Sequence, residues 1–465
     1  MDDNLNSENL QSAVDYIDSW LELNFNNSRI PALQVAIQHG DKLVYSRPFG
    51  YADLKNKTKL SKSHVFRIAS HSKTFTSTAI MQLVENGKLG LDDKVSQHID
   101  WFKSTKDERV SQITVRQLLN HTAGIIRDGT DASFWDTLRP FPDEAELQKL
   151  ISTGKLIYDA DVQFKYSNLA FSYLGFVIEA ASGMKYREYM TKNIVERLGL
   201  LSTGPDLDDR ALAKLANGYG MQLFNQNRRR FDHADTQAMS AATGFYSNAE
   251  DLCKYFAAHF LGNPTLISDI SKRQMQHGYW ESHHENERYG LGLVNYLKRG
   301  WSVFGHGGGF PGFSTSTRFD AKKKLAVSVL TNAHDAPAKY ICGGLINIID
   351  TFWKNAGHNK SKTATHSKFA GRFYSLWGPN DIVAVGEKLF AVEPLYWTEF
   401  ESASELFVVD EKTLKIGDSL NYGSSGETIK FNFDNDGKAD SIVYAGRPML
   451  PLAQAERQGW FKAEA

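Results

Sequence analysis

Ser70, His71, Ser72 and Lys73 set a hydroxyl and an amine three residues apart, directly ahead of the stretch TFTSTAIMQLVEN. On a helix, residues at that spacing are neighbours. A serine hydroxyl attacks a carbonyl poorly until a nearby base takes its proton, so the lysine amine is a candidate base for a serine nucleophile. The tetrapeptide alone does not discriminate, because Ser-x-x-Lys recurs at Ser152 to Lys155 and at Ser182 to Lys185. The setting does. Phe75, Ala79 and Leu83 recur at helical spacing and Gly87 stands where a helix would stop, which puts Ser70 at or just before a helix N-terminus. Unpaired backbone N–H groups at such an end favour an anion forming near the serine. Gly154 interrupts the second copy, and the third follows the helix-like run Leu169 to Ala181 with Gly183 as its stop, so both read as surface residues.

Two further groups could join this chemistry. Tyr166-Ser167-Asn168 precedes the helix-like stretch LAFSYLGFVIEAA. A tyrosine near a lysine amine can relay a proton, and an asparagine amide can hold the lysine and a substrate carbonyl together. A second copy, Tyr246-Ser247-Asn248, reads as structural, with Ser247 as helix cap and Glu250 completing a capping box. His306-Gly307-Gly308 ends the strand-like run WSVFG. Glycines there let a substrate backbone come close and leave the N–H of Gly309 able to donate. Taken alone, the triplet reads as a turn between strands with an incidental histidine.

The elements that must position these groups follow from periodicity. Residues 8–25 have an amphipathic helical pattern, and ALQVAIQ and KLVYSRPFG flank a turn at His39-Gly40-Asp41. From Ser70 to about residue 230 helical patterns dominate; strand-like GLGLVNYL, WSVFGH, STSTRFD and LAVSVLTN follow, then an apolar helix from Ala338 to about Trp353. A helical block thus sits between two parts of one sheet-bearing unit, where a cleft is expected. The polar stretch NAGHNKSKTATHSK (355–368) reads as a linker, and short strands with turn signals beyond it predict a small antiparallel barrel or sandwich. The expected division is a domain over 1–357, with a helical subdomain over about 75–230, and a C-terminal domain over 369–465.

At 465 residues the chain exceeds one typical domain. Its formal net charge of -1 implies no long-range pull toward nucleic acid or an anionic membrane. Arg228-Arg229-Arg230 is expected at a solvated hairpin tip rather than in a phosphate site, since no glycine-rich cradle surrounds it. Cys253 and Cys342 lie in apolar stretches and are expected as buried free thiols. His283-His284-Glu285 is expected to face solvent rather than hold a metal. The N-terminal MDDNLNSENL lacks the pattern of a signal peptide, so a cytoplasmic location is expected unless a leader has been removed. No apolar run approaches the roughly 20 residues needed to span a bilayer.

Ser-x-x-Lys, then Tyr-x-Asn, then a Lys- or His-x-Gly triplet on a strand, in that order, resembles the signature of the serine β-lactamase and penicillin-binding protein superfamily, and the tyrosine form is similar to its class C branch. The resemblance covers roughly residues 20–355 and extends to FGYADL (49–54), ITVRQLLNHTAGI (113–125), TGFYSNAEDL (243–252) and YGLGL (289–293). It implies an α/β (α+β) β-lactamase/transpeptidase-like fold, an antiparallel sheet flanked by helices with an all-helical subdomain. The tail resembles the lipocalin-like barrels appended to some relatives.

By this resemblance Ser70 is the acylated nucleophile, Lys73 its base, and Tyr166 the group that passes the proton on and helps activate the deacylating water. Asn168 would orient Lys73 and a substrate amide, His306 would polarise the tyrosine from the opposite wall, and Ser70 and Gly309 would supply the oxyanion N–H groups beside Gly308. No metal or organic cofactor is implied, and a homo-oligomer is left open. Dedicated class C β-lactamases usually carry lysine and threonine where this chain has His306 and Gly307, which directs the expectation to an esterase or D-aminopeptidase type of hydrolase acting on a small ester, amide or peptide. A β-lactamase or penicillin-binding DD-peptidase is the alternative, and a non-catalytic scaffold of the same fold a second. Ala160-Asp161 replaces a Pro-Gly of many relatives, and Arg318 would restore carboxylate recognition only if it pointed inward.

Overall fold

The computed structural model describes residues 7–224, 227–282, 286–298, 300–355, 366–395, 397, 400, 403–419 and 424–461; His283-His284-Glu285 lies outside them. The chain forms two compact units, one of residues 30–342 and one of residues 1–29 with 343–465. This grouping differs from a division at the 355–368 linker, because helix Ser7–Asn27 is bonded to the tail. Tyr16 donates to Asp381 Oδ2 at 3.1 Å, Asn24 Nδ2 to the Pro394 carbonyl at 2.7 Å, and Arg372 to the Ser19 carbonyl at 3.2 Å.

The 30–342 unit is built on a nine-stranded sheet, antiparallel throughout. Strands Lys42–Asp53 and Ala32–His39 form the expected hairpin, and Ala32–His39 then pairs with Leu325–Thr331 from far along the chain, Val35 opposite Val329. Phe313–Asp320, Trp301–Phe310 and Val294–Lys298 follow outward. Every residue of Leu325–Thr331 is buried, Ser328 and Thr331 included, so this strand is covered on both faces. Helix Ala249–Ala257 covers this centre, with the buried Cys253 thiol 3.4 Å from the Ala36 carbonyl.

Between the two sheet segments the chain is helical. Ser72–Glu85 and Asn168–Ser182 are buried over most of their length and share a core with Leu118 and Phe245. Asn168–Ser182 starts on a Ser167 cap that accepts the Ala170 N–H at 3.0 Å and stops at Gly183 with φ +72°. For Tyr246-Ser247-Asn248 the expected cap is displaced by one residue. Asn248, not Ser247, accepts the Asp251 N–H, because Tyr246 and Ser247 are held in a strand paired with Phe66 and Arg67.

In the other unit, eight antiparallel strands from Gly371–Ser375 to Arg447–Met449 pair in sequence order, and a bridge between Tyr374 and Leu450 joins the last to the first. Phe369, Phe373, Leu414, Phe431 and Ile442 fill the interior of this nearly closed barrel.

Candidate active site

Ser70 sits in a single 3-10 turn, Ala69–His71, that leads straight into helix Ser72–Glu85. Ala69 takes φ +46°, a left-handed conformation that costs about 1–3 kcal/mol in a residue with a Cβ and marks strain next to the serine. Ile68 ties this turn down by donating its N–H to the Phe245 carbonyl at 3.0 Å.

One helical turn on, Lys73 is fully buried. Its Nζ lies 2.7 Å from Asn168 Oδ1, 2.9 Å from the Ala242 carbonyl and 3.2 Å from Ser70 Oγ. The first two partners can only accept. A neutral amine therefore spends both N–H groups on them and turns its lone pair to the serine hydroxyl. Burial drives the Lys73 pKa well below its ordinary value; Asp128 works against that shift and Arg127 with it. Tyr166 donates to Ser70 Oγ at 3.0 Å, and burial holds its own pKa above the ordinary range. The serine oxygen thus stands between an amine able to take its proton and a phenol able to give one.

Asn168 is itself oriented. Its Nδ2 donates to Asp128 Oδ1 at 2.7 Å, which fixes the carbonyl end toward Lys73. Asp128 also accepts from Arg127 at 3.1 Å, and the Arg127 guanidinium stacks 5.2 Å from the Tyr166 ring centre. Asp128, Arg127 and the Ala242 carbonyl carry no sequence signal, since nothing in the type or spacing of an Arg-Asp pair after NHTAGI marks its aspartate as buried and its arginine as exposed.

The third triplet lies on Trp301–Phe310 beside the Ser70 turn. A Cβ on Gly308 would stand 2.2 Å from the Ile68 carbonyl, so this glycine lets the strand approach the serine turn. Gly309 has open space and lines a cavity of about 640 Å³ together with Ser70 and Asn168. The His306 ring, expected to polarise Tyr166, instead donates from Nδ1 to the Gly307 carbonyl at 2.6 Å and accepts at Nε2 from Tyr289 at 3.0 Å. Burial lowers its pKa to about 3, so it presents no cation at neutral pH.

Arg318 does not restore one. Its guanidinium stacks 4.3 Å from the Tyr296 ring and donates to the Lys339 carbonyl, and it is not among the residues lining the Ser70 cavity. Arg127 and Arg229 both line that cavity, together with Trp135, Leu138 and Phe310; Arg229 is exposed, as expected of a solvated hairpin tip, and lies over Phe231 at 5.1 Å. Its neighbour Arg228 is mostly buried and pairs with Asp335. Asp161, the replacement for glycine, keeps a left-handed φ of +60° and holds the Thr122 hydroxyl at 2.6 Å. Among the described residues no group of three or more His, Cys, Asp or Glu is placed to hold a metal ion, and no helix is long and apolar enough to cross a membrane.

Known proteins resemble this chain in sequence and in fold. Protein flp of Staphylococcus aureus (strain MRSA252) is 26% identical over 328 residues, 68% of this chain and 62% of that protein, so the match spans less than two thirds of the relative. The structure of an octameric penicillin-binding protein homologue from Pyrococcus abyssi superposes with a TM-score of 0.64 at 22% identity, covering 94% of this chain and 99% of the other. A D-stereospecific amidohydrolase from Streptomyces sp. does so with a TM-score of 0.58 at 23% identity, covering 69% and 94%. The fold is the β-lactamase-like α/β fold. The family model described as Beta-lactamase matches residues 13–341, and the chain belongs to that family of serine hydrolases.

Proposed function

We propose that this chain hydrolyses an ester or amide bond through an acyl-enzyme on Ser70. Lys73 takes the hydroxyl proton as Ser70 attacks the carbonyl, Tyr166 delivers a proton to the departing alkoxide or amine, and a water activated by the same pair releases the acid. The N–H groups of Ser70 and Gly309 hold the oxyanion, each such donor being worth roughly 3–4 kcal/mol in the transition state. The observation that carries this reading is the Lys73 amine, buried and bonded to two obligate acceptors while facing Ser70 Oγ at 3.2 Å. A non-catalytic scaffold has no use for so costly a burial.

Within the class C-like branch we favour esters and amides, including those of D-residues, over β-lactams. Support comes from the neutral His306 in the third triplet, from the glycines that replace its hydroxyls, and from apolar walls at Trp135, Leu138 and Phe310. The fold likeness to a D-stereospecific amidohydrolase points the same way. Because the Pyrococcus abyssi homologue is octameric, we also propose self-association, which light scattering on the purified chain checks.

A serine-directed phosphonate is expected to add one adduct, mapped to Ser70 by peptide mass, and none to Ser70→Ala. Wild-type protein that stays unmodified and turns over no activated ester would refute the hydrolase reading. Side-by-side turnover of nitrophenyl butyrate, D-alanyl nitroanilide and nitrocefin decides the substrate class; dominance of nitrocefin would put β-lactams first instead.

A further inference from the structure

His121 stands behind the site with no part in the proton path between Ser70, Lys73 and Tyr166. It follows helix Val115–Leu119, is fully buried, and takes φ +62°, a conformation rare for a residue with a side chain of this size. The reason for that turn is visible in its bonds. The His121 carbonyl accepts the N–H of Lys165 at 2.8 Å, and its ring Nδ1 accepts the N–H of Ser167 at 3.2 Å. One residue therefore holds the backbone on both sides of Tyr166. Its ring also packs against the tyrosine, with centres 4.3 Å apart.

This clamp is the centre of a longer strap. Ile157 donates to the Gly124 carbonyl at 2.8 Å, Asp161 to Thr122 at 2.9 Å and Asn168 to Arg127 at 2.9 Å, so residues 121–127 run alongside the segment that carries Tyr166 and Asn168. Accepting at Nδ1 leaves the proton on Nε2. That N–H has no hydrogen-bond partner among the described residues and is enclosed by the rings of Tyr166, Phe171 and Tyr289 at 4.3, 5.0 and 4.7 Å. An unpartnered buried donor and a left-handed backbone are both costs, and a residue with neither would serve for packing alone.

We propose that His121 is a positioning residue for the proposed reaction: its ring nitrogen and carbonyl fix Tyr166 so that the phenol meets Ser70 Oγ. The inference rests on the reading of Tyr166 as the proton carrier. Its specific content is that the acceptor at Nδ1, and not aromatic bulk, is what the site requires.

Turnover of nitrophenyl butyrate by H121F and H121N, with thermal midpoints, tests it against Ser70→Ala and Tyr166→Phe as references. Phenylalanine keeps a ring but no acceptor, and kcat is expected to fall about 10²-fold with KM unchanged, the scale of loss for a reacting group displaced by about 1 Å. Asparagine carries an acceptor oxygen at the same reach and tolerates the left-handed backbone, so it is expected to regain most of that loss. If H121F is as active as wild type, or H121N as impaired as H121F, the inference falls. Should H121F fail to fold, H121G replaces it: low kcat restored by added imidazole supports the clamp, and wild-type kcat without imidazole overturns it. Retained activity in Ser70→Ala would instead remove the underlying hydrolase reading, and in Tyr166→Phe the reading of Tyr166 as proton carrier, which keeps those failures apart from a failure of the clamp.

Discussion

Asn168 turns its amide nitrogen to Asp128 at 2.7 Å and so is obliged to offer its oxygen to Lys73, also at 2.7 Å. The carboxylate thereby reaches the lysine in two ways, through the orientation of the amide and through its charge. Burial lowers the Lys73 pKa, Asp128 opposes that and Arg127 reinforces it. Activity that needs neutral Lys73 is lost as pH falls through that pKa. Asp128→Asn keeps an acceptor for Asn168 but removes the negative charge, so the acid limb of kcat/KM is expected to move to lower pH. Arg127→Gln removes a positive charge and is expected to move it to higher pH. Rate profiles of both variants with one nitrophenyl ester check this, and shifts in the same direction would show that the limb does not report Lys73.

Two adjacent glycines should behave differently. A methyl on Gly308 would lie 2.2 Å from the Ile68 carbonyl and 2.5 Å from Thr315 Oγ1, and the Ile68 backbone on one side leaves little room to yield. Gly308→Ala is expected to cost about 1–3 kcal/mol, as other overpacking substitutions do, and to lower activity by pushing the strand from the Ser70 turn. A methyl on Gly309 meets nothing within 4 Å. Gly309→Ala is expected to keep the wild-type denaturation midpoint while raising KM for bulky acyl groups. Urea titration and a series of esters of increasing size separate the two.

How much of this can be read from the sequence depends on whether the signal is local. The Ser70 helix start, the Ser167 cap and the Gly183 stop are set by neighbouring residues, and helix Asn168–Ser182 begins and ends within a residue of its pattern. Strand pieces are visible as apolar runs, but the pairing of Ala32–His39 with Leu325–Thr331 joins segments nearly 300 residues apart that no local pattern links. The same limit hides Asp128, the Ala242 carbonyl and the second bond of His306, each defined by a partner distant in sequence. The solvation of Arg229 and Arg230 is legible, since both are exposed, but the cavity that Arg229 borders is not, because Ser70, Trp135 and Phe310 reach it from distant parts of the chain.

Acid should destabilise the 30–342 unit through its buried histidines. Burial lowers the pKa of His71 to about 4 and of His259 and His306 to about 3, against an ordinary value of 6.5. In the unfolded chain these rings take protons below pH 6.5 that the folded state refuses, so the unfolded state binds more protons and stability falls as pH falls. The loss is expected to begin near pH 6.5 and deepen toward pH 4. Denaturant midpoints across that range test it in wild type and in His259→Gln, which is expected to show a shallower slope. A flat midpoint from about pH 7 to about pH 4.5 would contradict the burial of neutral rings.

Arg229 should contribute to which charges the cavity accepts, beside Arg127, Asp128 and Asp136 on the same walls. It lines the space in front of Ser70, and among the described residues no carboxylate is paired with it, unlike Arg228 with Asp335. Because it is exposed, its attraction for an anionic substrate is that of charges in water, about 1 kcal/mol at 4 Å. Arg229→Glu reverses that attraction. KM for a nitrophenyl ester bearing a distal carboxylate is expected to rise severalfold, while KM for nitrophenyl butyrate stays put. Added salt should shrink the difference, since screening acts over about 8 Å at 0.15 M. If both esters weaken equally and salt changes neither, Arg229 supports the wall through its stacking on Phe231, and the charge of the substrate is read elsewhere in the cavity.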